Sequence, residues 1–227
     1  YRMRGDYADA HAIALRALNL SVRYDLASHK AIAHLKIGAI YAAMGFYDKA
    51  LEYTGLAVEH YERHGELISI ANAKLNVGLI YRALGSFEMA LDYMHDALHT
   101  FEKHGQAIQT AIILGNIANV YADLDENDKA LEYYTRALEA NEALGDISRS
   151  ARIKANIATV YISQGLFEEA LDCTQKALAI HTSLGANGEV ARGLVNSGNI
   201  YFSPDFEGYN ESLAEEYFLR AEELSQQ

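Results

Sequence analysis

The side chains with the most chemical capacity here are paired histidines, scattered carboxylates and a regularly spaced set of asparagines. His60 and His64 lie four residues apart, as do His95 and His99, with His104 nearby. On a helix such pairs share a face and can ligate a metal. The intervening residues, Tyr61-Glu62-Arg63 and Asp96-Ala97-Leu98, make no HExxH motif. A metal site needs three or four converging ligands, so surface and packing roles fit these histidines better and no metal is expected. No Gly-rich phosphate loop occurs, because the glycines are spaced as helix terminators. Gly188 and Gly193 read as a turn and a close contact. The carboxylates read as a solvated face. Cys173 is alone, so it forms neither an internal disulfide nor a thiolate site, which fits a reducing cytoplasm. No catalytic set emerges; neither enzyme activity nor a cofactor is expected.

The asparagines are more telling. Asn76, Asn116, Asn156 and Asn196 recur 40 residues apart, with Lys36 at the same place one period earlier. Asn119 and Asn199 stand three residues beyond two of them, where Ala39, Leu79 and Thr159 stand in the other copies. Asn is a poor residue for a helix interior, so some interaction must offset its propensity. Its amide donates and accepts together, which suits a peptide backbone. It suits a bond to a neighbouring helix's backbone equally, and the two roles can coexist.

The elements that carry these residues follow the same period. Tyr41, Tyr81, Tyr121, Tyr161 and Tyr201 form one column, and Ala31, Ala71, Ala111, Ala151 and Ala191 another. Two more alanine columns begin at Ala10 and Ala17, and a glycine column holds Gly65, Gly105, Gly145 and Gly185. Each period reads as two helices. The first carries pairs such as Ile37 and Ile40 or Val77 and Ile80, three apart, and ends at Gly45, Gly85 or Gly165. The second runs from about Tyr47, Phe87 or Phe167 to the glycine column. Alanine columns mark close helix crossings, and short connections force antiparallel neighbours. The phase of the tyrosines favours a core role over an aromatic binding stripe. Four residues are inserted within Phe202–Glu211, a segment that holds Pro204 and Gly208, which predicts a longer loop there.

The segment Leu75-Asn76-Val77-Gly78-Leu79-Ile80-Tyr81, followed by Gly85, Phe87 and Ala90, resembles the tetratricopeptide repeat (TPR) signature. The match recurs in Gly38–Ala50, Ala118–Ala130 and Ala158–Ala170, and weakly in Gly198–Tyr201, with Asp125 in place of one turn glycine. The 40-residue period is similar to the long-repeat variety of Pins/LGN-type scaffolds, kinesin light chains and bacterial sensor proteins. The resemblance implies an all-α fold, a right-handed superhelical solenoid of antiparallel helix pairs, with first helices on the concave side. It divides the chain into a partial leading repeat, 1–25, and five hairpins at 26–65, 66–105, 106–145, 146–185 and 186–227. In that family similarly placed Asn residues line the groove and hold an extended peptide. The expected peptide-binding residues are Lys36, Asn76, Arg82, Asn116, Asn119, Arg152, Asn156, Arg192, Asn196 and Asn199. The co-chaperone clamp of the family needs a Lys four residues before an Asn. Gly115 and Val195 stand there instead, which argues against capture of a chaperone tail.

Charge bears on the partner. The net charge is −12, which repels nucleic acid, and no run of 18 apolar residues is present to span a membrane. The five first helices hold eight Lys or Arg against Asp123 and Glu189, a surplus of six. A groove basic relative to an acidic outer shell would attract an acidic segment; ordinary surface balance is the alternative. The expected function is therefore a cytoplasmic protein–protein interaction scaffold that takes an extended acidic peptide. Two alternatives stay open. One is a regulatory segment of a larger bacterial signalling protein with a cyclase, kinase or diguanylate cyclase output, suggested by the start within a repeat at Tyr1. The other is self-association through the N-terminal helix, whose Met3, Tyr7 and Ile13 lack a hairpin partner.

Overall fold

A computed structural model describes residues 2–225, with side chains from residue 7 onward. Among the described residues there are eleven helices and no strand. They are α1 (Arg2–Arg23), α2 (Ala27–Ala43), α3 (Tyr47–His64), α4 (Leu67–Ala83), α5 (Phe87–Lys103), α6 (Ala107–Asp123), α7 (Asn127–Ala143), α8 (Ile147–Ser163), α9 (Phe167–Ser183), α10 (Asn187–Phe202) and α11 (Glu211–Ser225). The chain forms two compact units, residues 1–109 and 110–227, with the division in the first turn of α6.

The turns explain the regularity. At Gly45 (φ 80°) the chain enters the left-handed region, Gly45 N–H donates to Ala42 O and Phe46 N–H donates to Tyr41 O. This pairs the last carbonyls of α2, and a residue without Cβ adopts it freely. Asp125 makes the same turn at φ 58°, with Glu126 N–H donating to Tyr121 O. Asp tolerates this conformation better than most non-glycine residues, so the missing glycine leaves the hairpin intact. Asp25 does likewise at φ 53°.

Within each unit the first helix of a hairpin packs closely on the second: α2 on α3 and α4 on α5 in one unit, α8 on α9 and α10 on α11 in the other. The alanine columns lie at these crossings. Ala50, Ala90, Ala130 and Ala170 are all 0% exposed. Opposite Ala90 sits Gly78, where a Cβ would come within 2.7 Å of Met94 Cγ and 3.1 Å of the Ala90 carbonyl oxygen. The insertion after α10 forms the expected loop, anchored by Phe206, which is buried against Phe167 and Tyr201.

The tyrosine column corrects the expectation of a core role. Each of these tyrosines is half-buried. Tyr41, Tyr81, Tyr121 and Tyr201 stack on Tyr53, Tyr93, Tyr133 and Tyr217 of the following helix, at centroid distances of 5.4–5.7 Å. Stacked rings keep an edge in water while burying a face. At the fourth place the partner position is Cys173, half-buried rather than aromatic.

At α1 the pattern is incomplete. Ala17 is exposed, whereas its column mates Ala57, Ala97, Ala137 and Ala177 are at most 2% exposed. Ile13 is 70% exposed and Tyr7 half-buried; the Met3 side chain lies outside the described residues. Between α1 and α2 runs an almost wholly apolar groove of ≈ 630 Å³, lined by Ala10, Ile13, Ala17, Leu20 and Ile32 among others.

Candidate peptide-binding face

The asparagines occupy first helices because their spacing matches one position per hairpin. In the second unit, α8 lies against α10 as first helix against first helix. The amide of Asn156 on α8 donates from Nδ2 to Oδ1 of Asn119 on α6, at 3.1 Å. The same Oδ1 accepts from Tyr134 Oη at 2.6 Å. Asn116 Nδ2 donates to Ile112 O, one turn back on its own helix, at 3.1 Å. These bonds orient the three amides and occupy one half of each. The Asn119 amide hydrogens and the Oδ1 atoms of Asn116 and Asn156 have no partner among the described residues. A peptide backbone, which alternates donor and acceptor, matches what remains.

Asn196 is half-buried and Asn199 exposed on α10, and neither has a hydrogen-bond partner among the described residues. Arg152 and Arg192 are exposed and form no ion pair among the described residues. In the first unit, Asn76 is half-buried on α4 with no such partner, and Arg82 is half-buried near the end of the same helix. Lys36 is exposed and borders the apolar groove between α1 and α2. The asparagine column thus serves two ends: Asn156 joins neighbouring first helices, while Asn76 and Asn196 form no bond of this kind. The Asn119–Asn156 bond exists at one place because the equivalents of Asn119 in the other repeats include Ala39, Leu79 and Thr159.

The charge partition narrows. Lys74 pairs with Asp96 on α5, and Lys154 with Glu142 on α7 at 2.8 Å. Both cations therefore turn toward second helices. Arg149 pairs with Asp146 at 2.5 Å, and Asp146 Oδ1 also accepts the Arg149 N–H to cap α8. Half-exposed pairs of this kind contribute little, but they remove three cations from the surplus inferred for the groove.

Two other groups matter for chemistry. Burial, followed by the neighbouring Asp172 carboxylate, holds the Cys173 thiol above its ordinary value, so its reactive thiolate is scarce. No three His, Cys, Asp or Glu side chains among the described residues group as metal ligands. No helix among them is long and apolar enough to cross a membrane.

His181 was not singled out by its spacing. It sits in α9 at 3% exposure, and neither ring nitrogen has a hydrogen-bond partner among the described residues. Burial lowers its pKa; Glu189 opposes the shift, while Arg192 and Arg152 add to it. The unfolded chain then takes up a proton near the ordinary value of 6.5, whereas the folded chain resists protonation. Stability is fully present above that value and falls as pH drops from there toward the lower folded pKa. His34 shifts the same way. The denaturation midpoint should therefore drop on acidification, and His181→Asn, which places the residue found at Asn141, should lessen the drop. An identical pH slope in wild type and variant would refute this role for His181.

Repeated hairpins that carry side-chain amides on their first helices define a helical-repeat protein. The tetratricopeptide repeat pattern matches residues 29–103 and 69–143, and a second form of it matches 150–184. The chain belongs to the tetratricopeptide repeat family. No curated protein sequence matches it. Among solved structures it is similar to BtubC (BKLC) from P. vanneervenii, with a TM-score of 0.81 at 19% identity, over 97% of this chain and 91% of that one. It also resembles the signal transduction ATPase with a tetratricopeptide repeat sensor from Pyrococcus horikoshii (TM-score 0.75, 16% identity, 88% of this chain and 31% of that one). A third is a Rap protein complexed with competence and sporulation factor (TM-score 0.65, 18% identity, 97% and 59%). At these identities the likeness shows the fold.

Proposed function

We propose that the chain is a protein–protein interaction module that holds an extended, acidic peptide along the first helices of its repeats. The observation that carries this reading is the half-satisfied amide set Asn116, Asn119 and Asn156; Arg152 on α8 and Arg192 on α10 are exposed and form no ion pair among the described residues. Side-chain amides pair with peptide backbone, and the arginines take carboxylates. Lys36, Asn76 and Arg82 would do the same work in the first unit. That a Rap protein of similar fold was crystallised with a bound factor is in keeping with this mode. The reading is tested by fluorescence anisotropy with labelled extended peptides of matched length, acidic and neutral. Preferential binding of acidic peptides, weakening with salt, is expected; equal or absent binding of both would remove the proposal. The sensor ATPase likeness leaves room for the module to report such binding to an output domain elsewhere in a longer protein.

A second reading has its own observation. The apolar groove beside α1, with Ala17 and Ile13 exposed, is the surface that a first helix covers in the other hairpins. Large apolar patches mark association sites, and here a second copy of the chain is the proposed occupant. Sedimentation over a concentration range should show a reversible dimer that Ile13→Glu abolishes. A strict monomer at the highest concentration would end this reading.

A further inference from the structure

One column of the repeat fails to fill its space. Tyr61, Phe101, Asn141 and His181, spaced by 40, are all buried where a second helix ends. The first member of the column is Ser21, which is buried but short, its hydroxyl donating to Leu18 O at 2.7 Å. Beside it a cavity of ≈ 400 Å³ opens among the end of α1, the start of α2 and the end of α3. Interiors close-pack, and this cavity lies beside Ser21, where the next two hairpins carry the rings of Tyr61 and Phe101.

Its lining departs in the same place. His34 faces the cavity, is 9% exposed, and has no hydrogen-bond partner among the described residues. One repeat later its position is held by Lys74, which Asp96 neutralises. The place of Asp96 in the first hairpin is Leu56, an apolar lining residue, so the acid that neutralises Lys74 has no counterpart for His34. Lys30, one turn before it, is exposed and forms no ion pair among the described residues. From α3 come His60, whose Nε2 is buried without a partner, and His64, stacked on it at 4.3 Å. Of the two carboxylates at the cavity, Glu59 is bonded to Arg63, which leaves Asp25 in the α1–α2 turn.

We propose that this cavity binds a small oxyanion, a phosphate or carboxylate group, held by Lys30 and His34 with His60 and His64 behind them. With neutral imidazoles, Lys30 and Arg63 balance Asp25 and Glu59. A proton taken up by His34 adds a positive charge and a donor. Burial, Lys30 and His60 in that order hold His34 below its ordinary pKa. A bound anion offsets the repulsion from Lys30 and His60, so it raises that pKa and binds more tightly as pH falls. The cavity shares no lining residue with the proposed peptide-binding set and does not depend on the peptide reading.

The experiment is a titration of the full chain with inorganic phosphate, and separately acetate, followed by histidine side-chain NMR against matched sodium chloride. Saturable shifts of the His34 and His60 resonances are expected. For acetate, whose own charge is constant over this range, affinity should be several-fold tighter at about pH 6 than at about pH 8, at most about tenfold per linked proton and pH unit. Which anion saturates identifies the group. Ser21→Phe, which restores the ring found at Phe101, should abolish the shifts with the helical signal unchanged. Lys30→Gln, an exposed change that leaves the core alone, should weaken binding about tenfold. Shifts no larger than those from chloride, binding retained in both variants, or a saturable response to zinc ions but to neither anion would each overturn the proposal.

Discussion

Ala90→Leu and Ala130→Leu should each destabilise the fold by about 1–3 kcal/mol. Both alanines are 0% exposed at the crossing of a first and a second helix. Beneath Ala90 the partner is Gly78, already so close that a single added Cβ would meet the Ala90 carbonyl oxygen at 3.1 Å. Ala118, also fully buried, holds the position of Gly78 one repeat on. Three extra carbons at either site must push the helices apart or force strained rotamers. In a chain of this size each kcal/mol lowers the melting midpoint by about 2–4 °C. Denaturant titration followed by far-UV circular dichroism measures the loss, with exposed Ala83→Leu as the control. Unchanged midpoints in Ala90→Leu and Ala130→Leu would mean that the alanine columns are not helix crossings.

That crossing was legible in the sequence because a 40-residue period shows the same small residue at the same place several times. Periodicity reports what repeats, and the turns, the hairpins and the Phe206 loop all follow from it. Asp125 reads as a departure, yet its left-handed turn is the one the glycines make. What periodicity cannot report is a contact that depends on two columns at once. The Asn119–Asn156 bond joins residues 37 apart on neighbouring helices, and it forms only where both positions carry an amide. The same blindness affects charge. Lys74 and Lys154 sit on first helices, but each long side chain reaches an acid on a second helix, so assigning charge by helix overstates the basic character of one face. The half-burial of the tyrosine column was missed for a related reason, since an apolar stripe says which face turns inward and not how much of a large ring stays in water.

Asn196→Ala with Asn199→Ala should weaken peptide binding by tens of fold or less, at unchanged stability. The two amides have no hydrogen-bond partner among the described residues, so removing them leaves no orphaned group in the folded chain. Each bond lost to a bound peptide is worth about 0.5–1.5 kcal/mol, and about 1.4 kcal/mol is tenfold in affinity. Asn156→Ala is the informative contrast. It also breaks the bond to Asn119, so stability and binding should fall together. Arg152→Glu with Arg192→Glu should act differently again. Both arginines are exposed, and steering by exposed charge operates at a distance and is screened by salt, with a Debye length of about 8 Å at physiological ionic strength. Reversing them should slow association with an acidic peptide and flatten its salt dependence, while dissociation changes less. Stopped-flow anisotropy separates the two rates. If the Asn196 and Asn199 double variant binds like the wild type while Asn156→Ala loses stability alone, the amides serve to join helices, and the peptide must be sought elsewhere on the chain.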